Sequence, residues 1–230
     1  MTKLIIIAAY TAYAAFWTRF FWHALVWWKA SHRLKESPGS RLAGGAKAYA
    51  LTTLDALFFG RLFMVNPALW LGEWVFHVSL LLVILRHLRF FLDPVPAWVW
   101  SVQQVGLIAG YILPFALVYI LVIRLLTTRE KYASRANVFL LGIVLAISTI
   151  GLSMRLWFTP NLVDVKLFAL GILCFKPAPM PEGLLFLVHF GLVLVLIAFV
   201  PTHVVTAPLV MLEARKREQA LYGVMHDEGR

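Results

Sequence analysis

The sequence predicts an all-α fold: an integral membrane bundle of five transmembrane helices, N-terminus outside and C-terminus cytoplasmic. Three observations carry this expectation. Of 230 residues, 61% are hydrophobic and only 14% charged, and the mean hydropathy is +0.82. A water-soluble globule of that composition has nowhere to put its apolar side chains, and disorder in water requires low hydrophobicity. The apolar residues also gather into stretches at about 3–28, 70–92, 99–126, 136–158 and 183–210, each able to supply the roughly 20 residues that cross about 30 Å of hydrocarbon. Finally, Lys and Arg number 6 in 29–69, 3 in 127–135 and 4 in the tail from 211, against 0 in 93–98 and 2 in 159–182. Basic residues stay with the cytoplasmic loops, which fixes the stated orientation.

The first stretch follows Met1-Thr2-Lys3 and ends in Trp27-Trp28-Lys29 without a small-residue cleavage site. It reads as a retained helix and not as a cleaved signal peptide. In the loop that follows, Ala48 to Phe63 mixes Leu, Phe and Ala with Asp55 and Arg61, a pattern suited to an interfacial helix. The second span runs outward and the fifth returns. Between the fourth and fifth, the loop 159–182 opens on Thr159-Pro160-Asn161 and closes on Pro177-Ala178-Pro179-Met180-Pro181, with an apolar middle from Leu167 to Phe175 that is expected to lie on the outer surface or cap the bundle. Residues 1–210 form the membrane domain and 211–230 a basic cytoplasmic tail. Trp27, Trp28, Trp70, Trp98 and Trp100 lie near span ends, where tryptophan anchors helices at the interface.

Composition also limits the chemistry. Five spans with short loops leave no room for a soluble catalytic domain. The single Cys174 excludes an internal disulfide, a four-thiolate cluster and a CxxCH haem attachment, and is expected to be a small apolar filler. The net charge of +10 reports topology and anionic lipid in a membrane protein, not nucleic acid.

Seven histidines occur, at 23, 32, 77, 87, 189, 203 and 226. His32 and His226 fall in cytoplasmic segments and are expected to be solvated. Four lie within two spans, His77 and His87 in the second, His189 and His203 in the fifth. An ionisable side chain in a bilayer is costly, and the usual reasons are a cofactor, an ion path or a buried polar contact. Depth discriminates among these. At 1.5 Å per residue, His77 sits about 10 Å from the inner end of its span and His203 about 9 Å, while His87 and His189 sit about 8 and 9 Å from the outer end. Two imidazoles at one depth on different helices can ligate a porphyrin iron from both faces, which favours electron transfer over substrate binding. The expected cofactors are therefore two haem b groups, an outer one on His87 and His189 and an inner one on His77 and His203. The fifteen-odd Å between His77 and His87 is shorter than the roughly 21 Å between His189 and His203, a mismatch that tilt and a kink at Pro201 would absorb.

Arg86 and Arg89 flank His87, and Arg155 lies near the outer end of the fourth span. Guanidinium groups bind carboxylates with a bidentate fork, so Arg86 and Arg155 are candidates for haem propionate or quinone contact; snorkelling to lipid phosphate is the competing reading and suits Arg89 best. Glu73 lies one turn before His77 and could pair with His23 or Arg19, or serve in proton movement, unless it is an ordinary interfacial group.

These features resemble a known group. Five passes, an outside N-terminus and two histidines on each of the second and fifth spans are similar to the gamma-subunit family of respiratory nitrate reductase, small dihaem b-type cytochromes. The ten-residue interval from His77 to His87 agrees with that pattern, and the 14-residue interval from His189 to His203 is shorter than the nitrate reductase subunit's. The run Asn66-Pro67-Ala68-Leu69-Trp70, followed by His77 and by Arg86-His87-Leu88-Arg89-Phe90-Phe91, more closely resembles the cytochromes of sulfite-reduction-associated (Dsr) complexes and membrane heterodisulfide reductases. That resemblance implies a subunit of the plasma membrane in which menaquinol or another quinol reacts beside the outer haem, with a pocket near His87, Arg86 and Arg155. It implies electron exchange through the inner haem with an iron-sulfur subunit on the cytoplasmic face, docked on basic loops around Arg33, Lys35 and Arg129 to Arg135. Two other readings compete: a haem-free transporter or channel using intramembrane His and Arg, which the scarcity of intramembrane carboxylates disfavours, and a haem-free membrane anchor.

Overall fold

Inside a bilayer every backbone N–H and C=O has to find its partner within the protein, so apolar segments of this length fold as helices. A computed structural model describes residues 2–34, 53–55, 57–127 and 135–201. The helices among them are α1 (Thr2–Leu34), α2 (Gly60–Val65), α3 (Pro67–His87), α4 (Ala97–Ser101), α5 (Gln103–Leu126), α6 (Arg135–Leu156) and α7 (Leu162–Leu173), followed by α8 (Leu184–Pro201). Five of them, α1, α3 with the 3-10 turn Leu88–Phe90, α5, α6 and α8, are long and apolar enough to cross a membrane. The chain is a multi-pass membrane protein, as its composition requires.

Local signals explain where the helices start and stop. Asn66 caps α3, its side-chain oxygen accepting from the Leu69 N–H at 2.9 Å, and Pro67 takes the first helical position, where a missing N–H costs nothing. The third span is expected to be continuous from 99; instead Ala97–Ser101 forms the short α4, and α5 begins after Val102. The loop 159–182 contains a helix that its prolines conceal. Asn161 caps α7 by accepting from the Val163 N–H at 3.0 Å, and the apolar middle of the loop supplies its packing face. Of the expected interfacial helix over 48–63, residues 48–52 lie outside the described residues, and the six-residue α2 occupies its end. The tail 211–230 also lies outside them.

The described residues fall into two compact units, one within Met1–Ala12 and Asn66–Leu196, the other within Tyr13–Val65 and Ile197–Arg230. In the first, α3 packs most extensively on α5, and α5 on α6. The hairpin of α3 and α5 closes tightly at two glycines. A Cβ on Gly72 would stand 2.7 Å from Tyr119 Cδ1, and one on Gly106 would stand 2.7 Å from Arg86 Cβ and 2.9 Å from the Leu82 carbonyl oxygen. Tyr119 also donates its hydroxyl proton to the Ala68 carbonyl at 3.1 Å. Leu113, Leu117 and Val144 are buried between these helices, with Phe76, Leu80, Val83, Leu141, Leu145 and Leu196 against them. A second cluster joins Ala9, Ala12 and Leu194 with Ile172 and Phe190. Phe168 of α7, 1% exposed, meets Phe186 and Phe190 of α8 at centroid separations of 6.0 and 5.3 Å, edge to face as aromatic quadrupoles favour. Lys166 pairs with Asp93 at 2.9 Å, joining α7 to the loop after α3. Cys174, expected as a small apolar filler, is the C-cap of α7 and is exposed. In the second unit, Arg19 donates to the Ala198 carbonyl at 3.0 Å and stacks over the Phe199 ring at 5.0 Å.

Candidate functional site

Three of the histidines within the spans share one feature. His77 Nδ1 lies 2.7 Å from the Glu73 carbonyl oxygen, His87 Nδ1 lies 2.7 Å from that of Val83, and His189 Nδ1 lies 3.1 Å from that of Ile147. A carbonyl oxygen only accepts, so in each case Nδ1 carries the proton and donates it. The ring lone pair then resides on Nε2. This is the tautomer in which histidine ligates a metal, with the outer-shell hydrogen bond fixing ring orientation and raising the basicity of the ligating nitrogen. For His77 and His87 the acceptor is the carbonyl four residues back on the same helix. For His189 it is contributed by α6.

The contact of His189 depends on a glycine. Ile147 and Gly151 are one turn apart on α6, and a Cβ on Gly151 would stand 3.1 Å from His189 Cε1. The ring lies over the helix at the place where a side chain is missing and so reaches the Ile147 carbonyl. His189 of α8 and His87 of α3 interact electrostatically. His203 lies outside the described residues, as do His32 and His226; the pairing of His77 with His203 remains an expectation.

Arg86, Arg89 and Arg155 interact electrostatically with one another, and Arg86 and Arg89 with His87. Arg86 donates from Nε to Gln103 Oε1 at 3.4 Å, and Gln103 Nε2 donates to the Arg86 and Val99 carbonyls at 3.2 and 3.1 Å. Arg89 lies over the Phe90 ring at 4.6 Å, while its Nε is buried without a hydrogen-bond partner. Among the described residues none of the three is paired with a carboxylate, although each lies at the end of an apolar span. Three guanidinium groups without a carboxylate partner among the described residues fit an anionic group such as a propionate.

Among the described residues no group of three or more His, Cys, Asp or Glu side chains converges as a metal site. A bis-histidine haem does not call for one, since the porphyrin supplies the equatorial nitrogens and the protein only the two axial imidazoles. The donor set at His87 and His189 therefore fits haem: two imidazoles in the ligating tautomer with cations beside them.

Glu73 finds a partner that the sequence did not suggest. Its Oε1 accepts from Arg124 Nη2 of α5 at 2.6 Å, and its Oε2 lies 3.8 Å from His77 Nδ1. Arg19, the alternative, makes the backbone contact to Ala198 described above. Gln103, Gly151 and Arg124 are the residues that sequence reading missed. A search for polar residues at matching ends of antiparallel spans would have found Gln103 and Arg124; nothing short of the packing marks Gly151.

Two curated relatives align with this chain. It is 36% identical over 150 residues to the Hdr-like menaquinol oxidoreductase cytochrome b-like subunit of Archaeoglobus profundus, covering 58% of this chain and 44% of the relative. With the protein of the same description from Archaeoglobus fulgidus it shares 34% identity over 149 residues, covering 58% and 45%. The chain thus spans less than half the length of the curated relatives it matches. Their names fall within the heterodisulfide-reductase-like branch to which the run from Asn66 to Phe91 pointed. No protein-family description and no solved structure matches.

Proposed function

We propose that this chain is a dihaem b-type cytochrome subunit that moves electrons between a membrane quinone and a cytoplasm-facing iron-sulfur partner subunit of a respiratory complex. Menaquinol is the quinone its relatives' names indicate. The observation that supports this best is the shared tautomer of His77, His87 and His189, each donating from Nδ1 to a carbonyl and so presenting Nε2 as a ligand. His87 and His189 would hold the outer haem, His77 and His203 the inner. Bound haem supplies a one-electron iron couple, and axial ligation by two histidines leaves no position open for substrate.

The chain's own residues then have defined tasks. The carbonyls of Glu73, Val83 and Ile147 fix the rings, and Gly151 keeps a space for one of them. Arg86, held by Gln103, and Arg155 would take the carboxylates of a propionate or the oxygens of a quinone. With the N-terminus outside, the basic loops between the first and second and the third and fourth spans face the cytoplasm, where they serve orientation and partner docking together.

Spectroscopy of the purified chain, expressed with ample haem and treated with a menaquinol analogue, tests this. The expected result is a reduced b-type spectrum that develops without any soluble partner. A haem-containing protein that dithionite reduces but quinol does not would overturn the quinone assignment, and a colourless protein the whole proposal.

A further inference from the structure

Glu73 of α3 and Arg124 of α5 form an ion pair between the two helices. Glu73 lies on the second turn of α3 and Arg124 in the last turn of α5, so the two charges meet at one end of the hairpin. Both side chains are largely enclosed, 13% and 18% exposed, and joined at 2.6 Å. Arg124 Nε is buried without a partner, so the guanidinium is not optimally satisfied. An ion pair withdrawn from water is a poor source of stability, since apolar residues of similar volume commonly do as well or better. The same end of the hairpin is already fixed by Gly72 against Tyr119 and Ile120, and by the Tyr119 hydroxyl on Ala68. The pair therefore calls for a reason beyond packing.

Its position supplies one. Glu73 meets His77 twice: its backbone carbonyl accepts the Nδ1 proton at 2.7 Å, and its carboxylate Oε2 stands 3.8 Å from the same nitrogen. The carboxylate is thus on the side of the ring opposite Nε2. A negative charge there makes the imidazole a stronger donor and favours the more positive state of a metal bound to it; the guanidinium opposes that effect. We propose that Glu73 and Arg124 are positioning residues for His77, which together set the reduction potential of the haem that His77 ligates. The inference rests on the proposed ligation by His77.

Redox titration of the full-length haem-loaded protein, followed in the b-type absorption band, tests it with Glu73→Gln, Arg124→Gln and the double variant. Glu73→Gln keeps the backbone carbonyl that orients the ring and removes only the charge. It is expected to shift the midpoint potential of one haem upward. Arg124→Gln is expected to shift the same haem downward, the double variant to return it towards the wild-type value, and the second haem to stay unchanged throughout. Should a single variant fail to fold, Glu73→Asp, which keeps the charge and draws it back from the ring, takes its place and is expected to give a smaller upward shift of that haem. Shifts of one sign in both single variants, or titrations that superimpose on the wild type, would overturn the inference. His77→Ala separates the two levels: if it retains both haems, the ligation reading has failed; if it loses one while the charge variants titrate as wild type, only the inference has.

Discussion

Gly151→Ala isolates the ring contact of His189 from general stability. The new Cβ would stand 3.1 Å from His189 Cε1, and comfortable carbon contacts begin near ~3.5–4.0 Å. The ring therefore retreats by about 0.4–0.9 Å, since the α6 backbone that carries the Cβ is the stiffer side of the contact. The hydrogen bond from Nδ1 to the Ile147 carbonyl already spans 3.1 Å, and the retreat carries it out of the useful range of about 2.7–3.2 Å. Losing such a bond costs about 0.5–1.5 kcal/mol, while alanine gains about 1 kcal/mol over glycine in a helix, so thermal stability should scarcely change. Haem retention should change, because removing an outer-shell partner of a ligating histidine typically weakens metal binding about 10- to 100-fold. The assay is haem transfer from the purified protein to an acceptor such as apomyoglobin, run beside thermal denaturation in the same detergent. Wild-type transfer rates and spectra in Gly151→Ala would refute the reasoning, as would a loss of stability that accounts for the haem loss.

Three further expectations follow from contacts described above. Gly106→Ala places a Cβ against Arg86 Cβ and the Leu82 carbonyl oxygen, whereas Gly110→Ala meets only Val83 Cγ2 at 3.9 Å; thermal denaturation should show a loss of about 1–3 kcal/mol for the first and none for the second. Asn66→Ala removes the acceptor for the Leu69 N–H and should cost about 1 kcal/mol in denaturant unfolding, without altering the haem spectrum. Arg155→Gln removes one of three cations near His87 and is expected to lower the midpoint potential of one haem, since positive charge favours the reduced iron; an unchanged potential would assign Arg155 to lipid headgroups.

The spans were legible because hydrocarbon imposes length and composition on a helix regardless of its neighbours: five helices long and apolar enough to cross a membrane overlap the five expected stretches, the third interrupted at Val102 and the end of the fifth, 202–210, outside the described residues. The pairing of His87 with His189 is expected on depth alone, because depth along two antiparallel helices follows from residue counting. What residue counting cannot supply is azimuth. Whether His189 faces a carbonyl or lipid depends on rotation about α8, and its partner Ile147 lies on a helix that the sequence connected to the site only through Arg155. Arg124 was missed for a related reason: Glu73 was matched to the first span, although an antiparallel hairpin of α3 and α5 brings the start of one to the end of the other. In 159–182 the apolar middle from Leu167 to Phe175 was expected on the outer surface or as a cap on the bundle, with no helix assigned; Asn161 offers a cap and the apolar run from Leu162 a helical face, which packs through Phe168 on Phe186 and Phe190.

The central claim is that four imidazoles hold two haems in pairs. The haem-to-protein ratio of the wild type and of the single alanine variants of His77, His87, His189 and His203 measures it most directly. The account predicts two haems per chain in the wild type and one in each variant, with His87→Ala and His189→Ala losing the same spectral component and His77→Ala and His203→Ala the other. Variants that all keep the wild-type ratio, or losses that pair the histidines otherwise, would contradict it.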